Sequence, residues 1–272
     1  MQELLQFFDQ LSNLQKLLWV FICMGFGLLL EIAFPLFKFN YHKWRHAGVN
    51  LVFLSTTLLI NGLFGVLTVG IFSWTASQGI GLLRLIDLPV VVELLFGVMF
   101  LDFLAQYVVH YFLHKIKWMW KLHMVHHSDT HVDVTTGTRH HPLDFVTRET
   151  FALLAIFVGG MPFSYYMVYR ILSVFFTYFT HANIVLPRWL DQAISLVFIS
   201  PNMHKFHHHH VRPWTDTNFG NMFSLWDRMF GTLVYDDPKK ITYGLDVLVG
   251  KPDESVSYQM KVPFDKSIKT DY

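Results

Sequence analysis

Three groups of histidines have the spacing of metal ligands. The groups are His110 and His114, then His123, His126 and His127, and finally His204, His207 and His208. On a helix, residues three or four apart project from the same face, so each group can direct several imidazole rings at one ion. A neutral imidazole is the commonest metal ligand in proteins. These eight histidines therefore predict a metal centre.

Adjacent histidines in this pattern indicate two ions. Neighbouring residues such as His126 and His127 diverge by roughly 100° around a helix, which suits two metals better than one. The chain has a single cysteine, Cys23, so a cysteine-based zinc site is excluded. A nitrogen-rich site without cysteine, with capacity for two ions, favours redox-capable iron over zinc.

Two further histidines, His141 and His181, are consistent with either a ligand or a structural role from the residues alone. His141 precedes Pro142, and His181 ends a long apolar stretch. Metal-bound histidines also need hydrogen-bond partners on their second ring nitrogen. Polar side chains near the motifs supply candidates, namely Asp102, Asp129, Asp144, Asn183, Asn218 and Asp227.

The composition is that of a membrane protein. Hydrophobic residues make up 53% of the 272 positions and charged residues 15%, compared with about a quarter in soluble domains. The mean hydropathy is +0.35. The formal net charge is +1, and no basic patch with interleaved aromatics is present, so nucleic acid is excluded as a partner.

Three apolar runs are long enough to span a hydrocarbon core of roughly 30 Å. They cover residues 17–37, 48–74 and 89–111, and residues 1–16 before them have the pattern of an interfacial helix. In the third run, Asp102, Gln106 and His110 are spaced by four, which predicts one shared helical face. Basic residues follow the first and third runs. Because positive charge marks the cytoplasmic side, the histidines are expected on the cytoplasmic face.

Residues 151–179 are apolar but broken by glycines and by Pro162, which predicts a helical hairpin. Two full spans are the alternative if the first piece begins near Leu143. Residues 184–199 suit a helix lying in the interface. A short strand or two and then a loose tail after Lys251 are expected beyond Gly231. The fold class is therefore all-α: a membrane helical bundle of about four spans, or three spans plus a hairpin, with a histidine-rich cytoplasmic cap.

The histidines belong to longer motifs in a fixed order. They are Asp102-Phe-x-x-x-Tyr107-x-x-His110-x-x-x-His114, His123-x-x-His126-His127, Arg139-x-His141-Pro142-Leu143-Asp144, Phe179-x-His181-x-Asn183, His204-x-x-His207-His208, Asn218-Phe-Gly220 and Trp226-Asp227-Arg-Met-Phe230-Gly231-Thr232. With these motifs, about residues 90–235 resemble the sterol desaturase and fatty acid hydroxylase superfamily of integral-membrane oxygenases. The resemblance divides the chain into an N-terminal region of two spans (1–89), a catalytic region (90–235) and a cytoplasmic tail (236–272).

The resemblance implies a centre of two iron ions, with zinc as an alternative in isolated protein, that activates O2. It also implies that His141 and His181 complete the histidine shell. The expected metal ligands are thus His110, His114, His123, His126, His127, His141, His181, His204, His207 and His208. Among the candidate partners, Asp102, Asn183 and Asp227 are expected to support these rings. Catalysis is expected from the metal centre, without a separate catalytic side chain.

The expected activity is hydroxylation or desaturation of a C–H bond of a lipid, such as a sterol, a fatty acyl chain, or an isoprenoid or ether lipid. Electrons are expected from a separate donor of ferredoxin, cytochrome b5 or reductase type. The expected location is a bacterial inner membrane, with the endoplasmic reticulum as the alternative. A metal-dependent membrane hydrolase or isomerase is the alternative function. A metal carrier or sensor fits less well, because the histidines cluster at one end of the spans.

Overall fold

The computed structural model describes residues 1–85 and 87–270, and the described residues form helices without a named strand. The membrane half consists of α1 (Gln2–Asp9), α2 (Asn13–Ala33), α3 (Lys43–Gln78), α4 (Val90–Asp102), a π-helix (Phe103–Val108) and α5 (Val109–Lys115). Three stretches are long and apolar enough to cross a membrane: Asn13–Ala33, Lys43–Arg84 and Val90–Lys115. The predicted all-α class is confirmed.

The first spanning helix begins earlier than predicted because of a capping box. The Gln15 backbone N–H donates to the Ser12 hydroxyl at 3.3 Å, and the Ser12 N–H donates to the Gln15 side chain at 2.9 Å. Such reciprocal bonds satisfy the free N–H groups at a helix start. The predicted interfacial helix over residues 1–16 is therefore divided, and its last residues belong to α2.

The third span contains a wide turn that the sequence did not predict. In the π-helix the hydrogen bonds run from residue i to i+5, so a spacing of four no longer returns to the same face. Asp102 and His110 both contact the segment that follows α10 (Pro201–His207), whereas Gln106 turns towards α8 (Phe163–His181). The prediction of one face shared by all three residues is wrong for Gln106.

The apolar stretch after the second histidine group forms a hairpin of α7 (Pro142–Gly159) and α8. The two helices have 18 and 19 residues, or about 27 to 28 Å at 1.5 Å per residue. The first helix begins at Pro142, close to the start near Leu143 in the alternative prediction and not at residue 151, because proline is favoured at the first helical position. Gly160 caps α7 with a φ of +60°, and its backbone packs directly against Gly81.

The cap at the end of the spans is built from short helices. They are α6 (Lys117–His127), α9 (Arg188–Ser195), α10, α11 (Leu225–Met229) and α12 (Val256–Gln259), with 3₁₀ turns between them. The loose tail and the strands predicted after Gly231 are wrong for the described residues. Val262 and Ile268 are buried against Trp120 and Met124, because α6 presents an apolar face behind its histidines. The tail to residue 270 covers that face.

Candidate metal centre

Nine histidines from four parts of the chain converge in two buried clusters. The first cluster comprises His110, His114, His123, His127 and His207, and the second comprises His126, His181, His204 and His208. Within each cluster, one ring nitrogen of every member lies within 4.8 Å of those of all the others. Each cluster thus presents enough nitrogen donors to surround an ion.

Helical spacing distributes the rings between the clusters. The rings of His126 and His127 are inclined by 87°, and those of His207 and His208 by 89°. One member of each adjacent pair therefore enters the first cluster and the other enters the second. The divergence expected from adjacency is present in the structure.

In the first cluster, the lone pairs of two ring nitrogens point at each other, an arrangement that a bound cation would stabilise. The Nδ1 atoms of His110 and His123 lie 2.7 Å from the Phe219 carbonyl oxygen and 2.8 Å from the Asp144 carboxylate. Since both of these oxygens accept, each Nδ1 carries the proton and each Nε2 carries a bare lone pair. The two Nε2 atoms lie 3.0 Å apart. Neighbouring ligands of an octahedral ion with bonds of about 2.1 Å are separated by about the same distance.

The second cluster repeats this arrangement around His181. Its Nδ1 donates to the Thr177 carbonyl at 2.7 Å, which leaves the Nε2 lone pair facing inward. The Nε2 atoms of His204, His126 and His208 lie 2.9, 3.2 and 3.2 Å from it. Four ring nitrogens therefore gather around one position, at distances that suit ligands of a shared ion.

Several buried ring nitrogens have no hydrogen-bond partner among the described residues. They are Nε2 of His114, both ring nitrogens of His127, Nε2 of His207, and Nδ1 of His126, His204 and His208. Buried polar atoms are rarely left unpaired in folded proteins. Bound cations would pair Nε2 of His114, Nε2 of His207 and one ring nitrogen of His127, so these residues fit a metal centre.

Burial also keeps the imidazoles in the form that binds metal. In the cap, burial holds the pKa values of His126, His127, His204, His207 and His208 well below the usual range. Burial lowers the pKa of His123 to about 3, although the Asp144 carboxylate opposes the change. At neutral pH these rings are uncharged and their lone pairs are available.

The expected supporting residues Asp102, Asn183 and Asp227 act away from the rings. Asp102 accepts from the backbone N–H groups of Met222 and Phe223 and from the Trp226 indole. Asp227 accepts from the N–H groups of Phe219 and Gly220. Asn183 exchanges two hydrogen bonds with the Phe37 backbone. Because the three side chains are buried, they need hydrogen-bond partners, and mainly backbone groups supply these. The three side chains therefore hold loops in place.

Other groups hold the rings directly. Asp144 orients His123, and its other oxygen accepts from the Arg148 guanidinium at 3.0 Å. The remaining partners are backbone carbonyls, including that of Thr217, which accepts from His207 Nδ1 at 2.7 Å. A backbone carbonyl has no signature in the sequence. Asp144, in contrast, is one of the polar residues near the motifs that the sequence indicates as hydrogen-bond partners of the rings.

His141 is the one expected ligand that lies outside both clusters. Its Nδ1 accepts from the Leu143 N–H at 3.2 Å and caps α7, and its ring packs on Phe264. The neighbouring His140 takes the inner position. Its ring stacks on His126 with centroids 4.5 Å apart, and its Nδ1 lies 3.3 Å from Asp144. Because Pro142 occupies the first helical position, the residue before it, His141, is the N-cap of α7. This pattern in the sequence indicates that His140, and not His141, faces the clusters.

Comparison with known proteins agrees with this geometry. A family model described as fatty acid hydroxylase matches residues 94–232, slightly more than half of the chain. The ornithine lipid hydroxylase of Rhizobium tropici is 23% identical over 178 residues, covering 65% of this chain and 52% of that protein. The alkylglycerol monooxygenase of Caenorhabditis elegans is 30% identical over 156 residues, covering 56% and 29%.

The human alkylglycerol monooxygenase is 28% identical over 142 residues, which covers 52% of this chain and 30% of that protein. The chain thus spans about half the length of the bacterial relative and about a third of the animal relatives. No solved structure matches the chain significantly.

Proposed function

This chain belongs to the fatty acid hydroxylase family, and from that premise we propose that it is a membrane-bound, O2-dependent oxidoreductase that hydroxylates or desaturates a C–H bond of a lipid. The observation that carries the proposal is the pair of histidine clusters, whose ring nitrogens face one another at about 3 Å with their lone pairs inward. Iron in both clusters is part of the proposal.

Iron ions held there would supply the activation of O2 that attack on an unactivated C–H bond requires. The chain's own residues fix the ligand rings. Asp144 and the carbonyls of Phe219, Thr177 and Thr217 hold the Nδ1 protons, so every supported ring turns its Nε2 inward. Such outer hydrogen bonds also raise the basicity of a ligating imidazole.

The architecture suits a substrate dissolved in the bilayer. α5 forms the last part of the third span and carries His110 and His114, and α8 ends at His181. A lipid that enters between the helices would therefore meet the clusters where the spans end. The basic loops on this side support a cytoplasmic location for the centre.

The electrons come from outside the chain in this proposal. One oxygen atom of O2 enters the lipid as a hydroxyl group and the other leaves as water, which consumes a pair of electrons and a pair of protons. We assign the electrons to a separate one-electron carrier of ferredoxin, cytochrome b5 or reductase type. The membrane is proposed to be a bacterial inner membrane, with the endoplasmic reticulum as the alternative.

Isotopically labelled O2 tests the proposal. Membranes containing the full chain, lipid extract and a reducing system are incubated with labelled O2, and the lipids are analysed by mass spectrometry. Labelled oxygen in a lipid hydroxyl, or a new double bond formed only with O2, is expected. The His207→Ala variant should form no product. The His209→Ala variant, which replaces a half-buried histidine two residues further along the chain, should form product like wild type. Solvent oxygen in an O2-independent product would instead identify a hydrolase.

A further inference from the structure

A cavity of about 140 Å³ lies between α2, α3, the π-helix, α7 and α8, beside the second cluster. This space far exceeds the roughly 10–15 Å³ that one water molecule needs. His140 lines the cavity and stacks on His126. Thr177 also lines it, and the Thr177 carbonyl accepts from His181. The cavity therefore borders residues that contact the metal-binding rings.

Each charged group in the cavity wall is paired with a group of opposite charge. The Arg170 guanidinium donates to the Glu149 carboxylate at 2.6 Å and to the Asn61 side chain at 2.8 Å. Arg148 is paired with Asp144 at 3.0 Å. Two guanidinium groups thus meet two carboxylates, and no net charge remains for an anionic group of a ligand. A buried, uncompensated anion is strongly unfavourable, so the wall selects a neutral occupant.

Two hydroxyl groups in the wall are left with protons to donate. The Gln106 amide donates to the Tyr169 hydroxyl at 3.2 Å and to the Ser173 hydroxyl at 3.3 Å. Asn221 donates to Ser173 as well, at 2.9 Å. Both hydroxyl oxygens therefore act as acceptors, and among the described residues neither proton has an acceptor. Buried hydroxyl protons are normally paired, so the two point to an oxygen acceptor in the ligand.

Apolar side chains also line the cavity and reach the lipid-facing surface. It includes Val20 on α2, Leu54 and Leu58 on α3, and Val174 on α8. Leu58 is 38% exposed, in the middle of a stretch long enough to cross the membrane. A hydrocarbon chain can leave the cavity here without meeting water.

We propose that this cavity binds the neutral, oxygen-bearing linkage of a lipid, whose ether, ester or hydroxyl oxygen accepts hydrogen bonds from Tyr169 and Ser173. The inference rests on the proposed function and deepens it. The hydrocarbon chain passes between α2 and α3 into the bilayer. Along α8, Ser173 and Tyr169 precede His181 by eight and twelve residues, or about 12 and 18 Å at 1.5 Å per residue, so the linkage is held two to three turns from the second cluster. Tyr169 and Ser173 are thus specificity-determining residues.

Ligand binding to the detergent-purified full chain tests this assignment. The probe is radiolabelled hexadecyl glyceryl ether, with palmitate and hexadecane as competitors of equal chain length. Tyr169→Phe and Ser173→Ala each remove one hydroxyl and little else. Each is expected to weaken binding of the ether about 2- to 10-fold, as loss of one hydrogen bond does. Tyr165→Phe and Ser164→Ala, on the same helix but outside the cavity, should leave binding unchanged.

Two results would each overturn the assignment. One is unchanged binding of the ether in both hydroxyl variants. The other is displacement of the radiolabelled ether by palmitate more readily than by unlabelled ether. A thermal unfolding curve shows whether each variant is folded, and if only one of them is folded, that variant decides the question. The oxygen-incorporation assay separates this inference from the proposed function. Product formation with unaltered binding in both variants refutes the cavity alone, whereas hydroxyl-dependent binding without an O2-dependent product refutes the function alone.

Discussion

Replacing Asp144 by asparagine tests how the outer hydrogen bonds set the metal ligands. One carboxylate oxygen accepts from Arg148 at 3.0 Å and the other from His123 at 2.8 Å. Asparagine has nearly the same shape but only one accepting oxygen. If that oxygen serves Arg148, the amide group donates to His123 Nδ1. The His123 proton must then move to Nε2, the atom that faces His110 across 3.0 Å.

The size of the effect follows from these contacts. Both orientations lose the ion pair with Arg148, whose side chain is only 11% exposed, but the alternative one also turns the amide N–H groups towards the guanidinium N–H groups, where no acceptor is left. The orientation that leaves Arg148 an accepting oxygen is therefore preferred, and the proton of His123 moves to the other ring nitrogen. Loss of such a partner typically weakens metal binding about 10- to 100-fold, or about 1.4–2.7 kcal/mol.

Metal affinity is measured by competition with a chelator of known affinity, on the detergent-purified full chain. The matched control is Glu149→Gln on the same helix, because Glu149 is also buried and is paired with an arginine, Arg170, which donates to Glu149 and Asn61 and not to either cluster. Asp144→Asn should bind metal more weakly and Glu149→Gln should bind like wild type. Equal affinities for wild type and Asp144→Asn would refute the reasoning about the tautomer.

Two further predictions concern stability. Because burial lowers the pKa of rings such as His126 and His204, the folded chain binds fewer protons than the unfolded one below about pH 6.5, so the metal-free protein should lose stability as the pH falls from 6.5 to 5. Thermal unfolding across this range checks it, and a flat Tm would contradict it. Val262→Ala should cost about 1.5 kcal/mol, because it removes apolar volume buried against α6. Chemical unfolding measures the cost, and Phe264→Ala, at an exposed neighbour, should cost less.

The two clusters could be anticipated from the sequence because helical geometry is periodic. Spacings of three and four place rings on one face, and adjacency turns His126 away from His127, and both features are present. The three spanning stretches follow from hydropathy in the same way. The first of them begins several residues earlier than predicted, since the capping box at Ser12 outweighs the apolar pattern, and Pro142 moves the start of the hairpin in the same way.

Other features depend on contacts that no local pattern encodes. The π-helix over Phe103–Val108 has an ordinary apolar sequence, so the displacement of Gln106 towards α8 could not be predicted. Backbone carbonyls support three ligand rings and have no sequence signature. The tail is buried through single apolar residues such as Val262 and Ile268, which lack the periodicity by which a helix or strand is recognised.

The metal content of the purified full chain tests the central claim most directly. Elemental analysis of protein expressed with iron should find two transition-metal ions per chain, one for each cluster. His114→Ala, which removes a member of the first cluster, and His204→Ala, which removes a member of the second, should each reduce the content towards one ion. A wild-type protein without bound transition metal, or two variants with unchanged content, would contradict the account.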